Sequence, residues 1–351
     1  MSIFKLDPAF KDYIWGGTRL RDEYGKKCDY DKVAESWELS CHKDGPSVVA
    51  DGEYKGLTLN EYIEKAGKGV LGKNCERFEN FPILIKLIDA KDNLSVQVHP
   101  DNDYAMRVEG EYGKTEMWYV VDCDEGATLL YGFKHEITKE EFARRIADNT
   151  LLEVTNAVPV KKGDVFFIKS GTLHAIGKGI LIAEIQQNSN TTYRIYDYGR
   201  VGKDGKPREL HVDKALDVTK LAPAEQYPET PVEKKDGYDI KLLSKCEYFT
   251  TYRVNVETKA ELDADENSFN SILVLEGEPV ISGGETVSAK KGESVFISAG
   301  TGKYTVEGKC TSVKVIKVAG CVSSAVQQYH RSDIRWYNRY SLQYHPLRSV
   351  A

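Results

Sequence analysis

The sequence predicts a mainly β protein built from two jelly-roll β-barrel units with short helical insertions. One observation behind this prediction is a series of short β-like segments separated by Gly, Asp and Lys. The others are an internal repeat and the small share of helical patterns between the strands. The predicted strands cover residues 34–40, 83–88, 96–99, 116–121, 165–168, 180–187 and 192–198.

The internal repeat divides the chain into two related halves. Residues 160–174, VKKGDVFFIKSGTLH, match residues 289–303, AKKGESVFISAGTGK, at a constant offset of 129. A β pattern alone would not reproduce Lys-Lys-Gly and Gly-Thr in register, so we infer two copies of one β unit. At the last position His174 is replaced by Lys303, whose ammonium group does not bind a divalent metal at neutral pH. We therefore expect the second copy to be metal-free and the chemistry to lie in the first.

Two short helices are expected as insertions between the strands. Each begins at a possible capping box, in which a Thr side chain and a Glu three residues later satisfy each other's backbone amides. The boxes are Thr58 with Glu61 and Thr138 with Glu141. Apolar residues follow both boxes at helical spacing.

The segment 223–237, rich in Pro, Glu and Lys, is the predicted linker. It would separate an N-terminal segment plus catalytic unit at 1–222 from a second unit at 238–319. The tail at 320–351 has little strand-like alternation, and three roles remain open for it: packing on the body, an oligomer contact, or disorder.

Composition excludes several classes of protein. With 351 residues and 41% hydrophobic content, the chain contains no run near the roughly 18 apolar residues of a membrane span. No secretory signal is visible, so we expect a cytoplasmic protein. The net charge of −6, with scattered Lys and Arg, argues against nucleic acid or membrane partners. Seven cysteines without a C-x-x-C pair fit reduced thiols, not a disulfide framework or a thiolate zinc site.

Candidate metal ligands converge from three segments. In the strand 95–99 the period-2 alternation places Gln97 and His99 on one face, although a histidine in a β pattern is more often structural than a ligand. One glycine turn precedes the strand at 165–168 and a second follows it, and this arrangement directs His174 towards the barrel interior. Glu116 opens an apolar strand, where a carboxylate is costly unless it is paired or metal-bound. These nitrogen and oxygen donors suit Zn²⁺, and also Fe²⁺, Mn²⁺ or Co²⁺.

A charged cluster follows in residues 184–200, EIQQNSNTTYRIYDYGR. Arg194 lies within a β pattern beside tyrosines, and an arginine there needs an anionic partner. For Arg200 an alternative is a solvated position at the end of a hairpin.

Taken together, QVHPD, KTEMWYV, GTLHA and EIQQ…TYRIYDYGR resemble the metal-dependent type I phosphomannose isomerases, in their short bacterial form. IWGG and AESWELSCHKDG resemble the N-terminal signatures of that family. The turn, strand and turn at 163–174 have the spacing of the second cupin motif, with Lys169 where cupins usually have proline. The resemblance runs from about Phe4 to Val318.

The resemblance implies two jelly-roll barrels of the cupin superfamily and one Zn²⁺ per chain, with other divalent metals possible. The implied metal ligands are Gln97, His99, Glu116 and His174. The implied catalytic residues are Arg194 as the essential arginine, with Lys114 and Glu184 as acid/base candidates. The implied phosphate-binding residues are Ser95 and Arg200.

The implied activity is the interconversion of mannose 6-phosphate and fructose 6-phosphate through a cis-enediol. This chemistry needs a base, a stabiliser of the enediolate oxygen and a phosphate contact. A rival hypothesis is a sugar-binding or regulatory cupin without turnover, which would not need Lys114, Glu184 and Arg194 together. A cupin dioxygenase is another rival, but its chemistry requires no phosphate-binding arginines. We expect a small-molecule sugar phosphate as the substrate, and a monomer or a homodimer.

Overall fold

The structure, a computed structural model, describes residues 2–202 and 205–317, so the predicted tail at 320–351 lies outside the described residues. The helices are α1 (Arg19–Asp22), α2 (Leu59–Ala66), α3 (Asn102–Val108), α4 (Lys139–Ala147) and α5 (Val212–Val218). The strands up to residue 202 are β1 (Ile3–Asp7), β2 (Ala9–Lys11), β3 (Glu35–Leu39), β4 (Val48–Val49), β5 (Ile83–Ala90), β6 (Val96–Val98), β7 (Glu116–Cys123), β8 (Thr128–Phe133), β9 (Thr155–Pro159), β10 (Val165–Ile168), β11 (His174–Ala175), β12 (Ile180–Gln187) and β13 (Tyr193–Tyr196). The strands after it are β14 (Val232–Lys235), β15 (Tyr238–Lys245), β16 (Thr250–Val256), β17 (Lys259–Ala264), β18 (Asn270–Gly277), β19 (Val280–Ser282), β20 (Thr286–Ser288), β21 (Ser294–Ile297), β22 (Gly302–Glu307) and β23 (Cys310–Ile316).

These strands form four sheets, two in each unit. The first unit combines a six-stranded sheet, in the order β10-β7-β12-β5-β3-β2, with a five-stranded sheet, in the order β13-β6-β11-β8-β9. The second unit combines an eight-stranded sheet, in the order β14-β15-β16-β23-β18-β21-β1-β4, with a four-stranded sheet, in the order β17-β22-β19-β20. The strand pairs within these sheets are antiparallel, so the prediction of a mainly β, jelly-roll protein is confirmed.

Both predicted helices are present. Thr58 and Glu61 form the complete capping box at the start of α2. Thr138 caps α4 by accepting a hydrogen bond from the Glu141 amide, while the Glu141 carboxylate pairs with Arg145. The sequence analysis missed α1, α3 and α5, each of seven residues or fewer, because so short a helix shows too few turns for an apolar period to emerge.

The internal repeat occupies equivalent places in the two units. Its copies form β10 and β21, each beginning after a glycine with a positive φ, 91° at Gly163 and 88° at Gly292. That conformation is accessible to glycine at little cost, which explains why Lys-Lys-Gly is retained in both copies. After the second turn His174 is buried on β11, whereas Lys303 is exposed on β22.

Two strand pairings bear on the predicted division of the chain at 223–237. The N-terminal strand β1 pairs with β21 and thus belongs to the eight-stranded sheet of the second unit. The expected linker at 223–237 contains β14, which pairs with β15 at the edge of the same sheet. The hairpin forms because Gly237, with a φ of 79°, permits the tight turn between these strands. The division at 223–237 therefore stays a prediction, and these two pairings depart from it.

The six-stranded sheet of the first unit is buried on both faces. Along β12, Leu181, Ala183 and Ile185 belong to an apolar core shared with the eight-stranded sheet of the second unit. The alternate residues Ile180 and Ile182 face the interior of the first unit. Burial on both sides explains why the sequences of β5 and β12 are almost continuously apolar. A charged residue on their inner face therefore needs a buried partner.

Within the described ranges, no helix is both long enough and apolar enough to cross a membrane.

Candidate active site

The predicted metal ligands lie together between the two sheets of the first unit, and Arg194 lies opposite Gln97 in the same sheet. Gln97 on β6 lies opposite His174 on β11 and opposite Arg194 on β13, so the three residues form a row across the five-stranded sheet. Residues opposite each other on antiparallel strands share a face of the sheet. Val96 and Val98 point to the other face and pack in a separate apolar core. The alternation predicted for this strand is therefore confirmed.

Two buried histidines point their Nε2 atoms at each other. The Nδ1 atom of His99 donates to the Thr191 carbonyl oxygen at 2.9 Å, and that of His174 donates to the Thr172 carbonyl oxygen at 2.8 Å. A neutral imidazole carries one N–H, so both Nε2 atoms are left with lone pairs. These two atoms are 3.1 Å apart. Lys114 Nζ lies 3.1 Å from His99 Nε2, and the Gln97 side-chain amide lies near His174 Nε2, so a cation between the rings would take the place of these donors. Fixed Nδ1 contacts of this kind are typical of metal-bound histidines.

Glu116 completes this group from the opposite, six-stranded sheet. Its Oε1 atom lies 3.4 Å from His174 Nε2, and its Oε2 atom lies 3.6 Å from His99 Nε2. The carboxylate is fully buried, and Oε1 has no hydrogen-bond donor among the described residues. The ligand atoms of the three side chains all lie within 4.8 Å of one another. The chain thus has a possible metal site made of two imidazoles and one carboxylate.

Gln97 borders this site from the middle of its strand. Its side-chain amide lies 3.3 Å from His174 Nε2, measured to Nε2 of the glutamine. A half-turn of the amide would present its oxygen to a cation at the same place.

The protonation states of the two histidines favour the binding of a divalent cation. Burial lowers the pKa of His174 to about 4, and burial together with the nearby Lys114 holds the pKa of His99 well below its usual value. Both rings are therefore neutral at pH 7, as metal ligands must be. Burial, reinforced by the Glu184 carboxylate, raises the pKa of Glu116 to about 7. A bound divalent cation would favour the charged form and release that proton.

A chain of alternating buried charges extends from Glu116 along the inner face of the six-stranded sheet. The Lys114 Nζ atom lies 2.7 Å from Glu116 Oε2 and 3.7 Å from Glu184 Oε1. On the far side of Glu184, the Lys86 Nζ atom lies 3.5 Å from its Oε1 atom and 3.4 Å from Glu35 Oε2. The order is therefore carboxylate, ammonium, carboxylate, ammonium and carboxylate, so each lysine has a carboxylate on either side. Such pairing offsets much of the cost of burying the charges.

Two tryptophans hold two of the three carboxylates in this row of charges. Trp118 Nε1 donates to Glu184 Oε2 at 2.9 Å, and Trp37 Nε1 donates to Glu35 Oε2 at 2.7 Å. Burial alone would raise the pKa of Glu184, but Lys114 and Lys86 hold that pKa below its usual value. Glu184 is therefore charged at neutral pH.

The sequence analysis missed Lys86 and Glu35. Lys86 is the central charge in the apolar strand ILIKLIDA, and a lysine in such a strand requires a buried partner. That signal was available, but the identity of the partner depends on strand order. Lys86 is opposite Glu184 because β5 pairs with β12, and this pairing joins residues that are distant in sequence.

Three arginines and one aspartate lie at the β13 end of the five-stranded sheet. Arg194 donates from Nη1 to the Glu209 carbonyl oxygen at 2.9 Å, and its Nε atom is buried without an acceptor among the described residues. Arg200 pairs with the Asp197 carboxylate and donates to the Asn93 carbonyl oxygen. Its contact with Asn93 brings it to the segment that holds the buried Ser95, just before β6.

Arg208 is a third residue of this region, after Lys86 and Glu35, that the sequence pattern did not identify. Its Nε atom lies 2.7 Å from Asp197 Oδ2 and its Nη2 atom 2.5 Å from Asp197 Oδ1, which is a bidentate contact. An isolated antiparallel bridge pairs Val201 with Pro207 and so places Arg208 near Arg200. Sequence periodicity carries no signal for a bridge of one residue pair.

Comparison with known proteins identifies the family to which the chain belongs. A family model described as phosphomannose isomerase type I, catalytic domain, matches residues 3–126, and one described as mannose-6-phosphate isomerase, cupin domain, matches residues 239–317. The mannose-6-phosphate isomerase ManA of Bacillus subtilis is 41% identical over 303 residues, which cover 86% of this chain and 94% of ManA. The chain belongs to the type I phosphomannose isomerase family.

Two further relatives support the same family assignment. A mannose-6-phosphate isomerase of Streptococcus mutans is 40% identical over 291 residues, covering 81% of this chain and 88% of the relative. The crystal structure of a mannose 6-phosphate isomerase from Bacillus subtilis superimposes with a TM-score of 0.85 and 38% identity, covering 90% of this chain and 99% of that one. The family resemblance and the cupin fold predicted from the sequence are confirmed.

We predict that His99→Ala and His174→Ala each lose bound metal. Either change leaves one imidazole and one carboxylate as strong ligands, too few to hold a divalent ion tightly. Metal content after dialysis, measured by elemental analysis, should fall from about one equivalent per chain to a small fraction. The exposed His135 provides the control, since His135→Ala should retain the metal. A normal metal content in both His99→Ala and His174→Ala would contradict this assignment.

Proposed function

We propose that this family member is an enzyme that interconverts mannose 6-phosphate and fructose 6-phosphate. The observation that carries this proposal is the position of Lys114 and Glu184 directly beside the candidate metal ligands. An aldose–ketose isomerase must remove a proton next to a carbonyl group and return it to the neighbouring carbon. A charged carboxylate and an ammonium group next to a metal site provide the groups that this reaction needs.

The donor set fits a zinc ion, with His99, His174 and Glu116 as strong ligands and Gln97 as a weaker fourth. The facing Nε2 lone pairs and the Oε1 atom of Glu116 are the contacts that a cation would satisfy. When bound, Zn²⁺ would polarise the sugar oxygens and stabilise negative charge on them.

Glu184 is the proposed proton acceptor. It is ionised, it is held by Trp118, and its Oε1 atom lacks a hydrogen-bond partner within the described part of the chain. An oriented carboxylate with one oxygen outside any hydrogen bond can take a proton from the carbon next to the carbonyl.

Lys114 is the proposed partner in this transfer. Its ammonium group lies between Glu116 and Glu184, where it can donate a hydrogen bond to a developing enediolate oxygen. Lys86 and Glu35 act through Glu184 as positioning residues, because Lys86 keeps the Glu184 carboxylate charged.

The arginines at the β13 end would hold the other part of the substrate. Arg194 lies in register with Gln97, so it borders the metal site from the same face of the sheet. We assign it to the stabilisation of oxygens that become negative during the reaction. Ser95 and Arg200 are assigned to the phosphate, since a guanidinium group binds phosphate through paired N–H donors.

We predict that Glu184→Gln lowers kcat for mannose 6-phosphate by about two to four orders of magnitude, the usual contribution of a general base. Glutamine preserves the shape of the side chain and the contact with Trp118 but cannot accept the proton. The measurement is a coupled assay that follows fructose 6-phosphate. The matched control is Glu35→Gln, the same change at the far end of the charge chain, which should cost much less. Equal losses in the two variants would assign Glu184 to the structure instead of the reaction.

We also predict that Arg194→Ala lowers kcat by about two to three orders of magnitude, with a much smaller change in KM. Lysine should restore only part of the loss because an ammonium group lacks the planar pair of donors. Thermal midpoint and zinc content are measured on the same preparation. A stable, metal-loaded Arg194→Ala protein with nearly normal kcat would show that Arg194 takes no part in the reaction.

A further inference from the structure

Lys114 lies in a short segment without regular secondary structure, just before β7. The three residues of this segment, 113–115, are all buried, and none of them belongs to a strand or a helix. A buried backbone N–H group needs an acceptor, because leaving it unpaired costs free energy comparable to a lost hydrogen bond. The groups that accept these three N–H donors therefore set the position of the Lys114 backbone.

Each N–H group of the segment 113–115 has an acceptor on a neighbouring element. The first donates to Asn102 Oδ1 at 2.9 Å, and the second, that of Lys114 itself, donates to the Pro100 carbonyl oxygen at 3.0 Å. The third donates to Gln187 Oε1 at 2.9 Å. Two of the three acceptors are thus side-chain amides, which a substitution can remove without altering the segment itself.

The two side-chain amides are also bonded to each other. Gln187 Nε2 donates to Asn102 Oδ1 at 2.9 Å, so this oxygen accepts two hydrogen bonds. Asn102 Nδ2 in turn donates to the Tyr248 hydroxyl oxygen at 3.2 Å. These contacts define the orientation of both amides, because each oxygen faces donors and each nitrogen faces an acceptor. Tyr248 lies between β15 and β16, so the second unit helps to hold the pair.

The two amides belong to elements that carry other residues of the site. Gln187 is the last residue of β12, the strand that contains Glu184. Asn102 is the first residue of α3 and follows the turn after His99. The paired amides therefore connect the segment 113–115 to the elements that place a proposed proton acceptor and a candidate metal ligand.

The segment also packs directly against the backbone of the turn before α3. A β-carbon at Gly113 would lie 2.3 Å from the Asp101 carbonyl carbon and 2.5 Å from the Asn102 backbone nitrogen. Backbone atoms cannot move aside as the end of a flexible side chain can, so this close approach requires glycine. Such tight packing transmits displacements, and a shift of the turn would move Lys114 with it.

We propose that Asn102 and Gln187 are positioning residues for Lys114, whose ammonium group they hold in the place that isomerisation requires. The inference rests on the proposed function, in which Lys114 takes part in the proton transfer. The Lys114 Nζ atom lies 2.7 Å from Glu116 Oε2 and 3.7 Å from Glu184 Oε1. A backbone displacement of about 1 Å would disturb both contacts, and misplacement on that scale slows catalysis.

The principal test is Asn102→Ala, in which the Gly113 amide and the Gln187 side chain lose their shared acceptor. We expect kcat for mannose 6-phosphate to fall about ten- to a hundredfold, the usual effect of misplacing a reacting group. KM and zinc content should stay within about twofold of wild type, because Asn102 is not assigned to substrate or metal. Asn102→Asp should restore most of the lost rate, since a carboxylate oxygen accepts the same two hydrogen bonds.

Hydrogen–deuterium exchange gives a readout that does not depend on activity. The backbone amides of the segment 113–115 should exchange faster in Asn102→Ala and in Gln187→Met, because each variant removes an acceptor. Gln187→Met keeps the length of the side chain but removes its amide, so kcat should fall in this variant as well. It takes the place of Asn102→Ala if the alanine variant does not fold.

The matched control is Asn74→Ala. Asn74 is half-buried, as Asn102 is, and its Nδ2 atom donates to the Lys317 carbonyl oxygen at 3.2 Å. Because this hydrogen bond is made to the second unit, its loss should leave kcat and the exchange at 113–115 unchanged. Thermal midpoints are recorded for all variants, so a general loss of stability is recognised by its presence in the control.

Three results would overturn the inference. One is faster exchange at 113–115 in Asn102→Ala with kcat within about threefold of wild type. Another is unchanged exchange, and the third is an equal loss of kcat in Asn102→Ala and Asn102→Asp. Failure of the proposed function is a separate result, in which the metal-loaded wild type does not convert mannose 6-phosphate. Exchange would still report whether Asn102 and Gln187 hold the segment.

Discussion

The burial of Glu116 between two sheets is the constraint on which the first unit depends. A carboxylate with no exposure to water needs compensating positive charge close to it, and Lys114 supplies part of that charge. Lys114 then requires Glu184, and Glu184 is held in turn by Lys86. The chain of charges ends at Glu35, and the two facing histidines at its other end leave room for a cation. The proposed catalytic groups thus also neutralise one another in a buried interior.

The second unit contributes to the site without adding residues to this chain of charges. Its eight-stranded sheet packs against the outer face of the six-stranded sheet and shares one apolar core with it. That packing covers the outer face of β5 and β12, while Lys86 and Glu184 are buried on the inner face beside their ion-pair partners. The interior of the second unit is filled by aliphatic side chains and Tyr304, with Lys303 exposed at the position that corresponds to His174. The expectation that the second unit holds no metal rests on this replacement and stays a prediction.

Much of this arrangement was predictable from local pattern. Alternation in residues 95–99 predicted that Gln97 and His99 share a face, and the repeat predicted which copy holds the histidine. Lys86, Glu35 and Arg208 were missed because their roles depend on which strands and bends become neighbours. Local sequence reports the period of a strand but not its partner across the sheet. The pairing of β1 with β21 was missed for the same reason. Only the tertiary fold shows that the N-terminal strand belongs to the eight-stranded sheet of the second unit.

The most direct test of this account is a zinc titration of metal-depleted wild-type protein, with bound metal and mannose 6-phosphate isomerisation measured on the same samples. If the buried cluster of His99, His174 and Glu116 is the centre of the reaction, activity should be nearly absent without metal. It should then rise in proportion to bound zinc and stop rising at one equivalent per chain. Full activity in the metal-free protein, or no recovery after one equivalent has bound, would contradict the account.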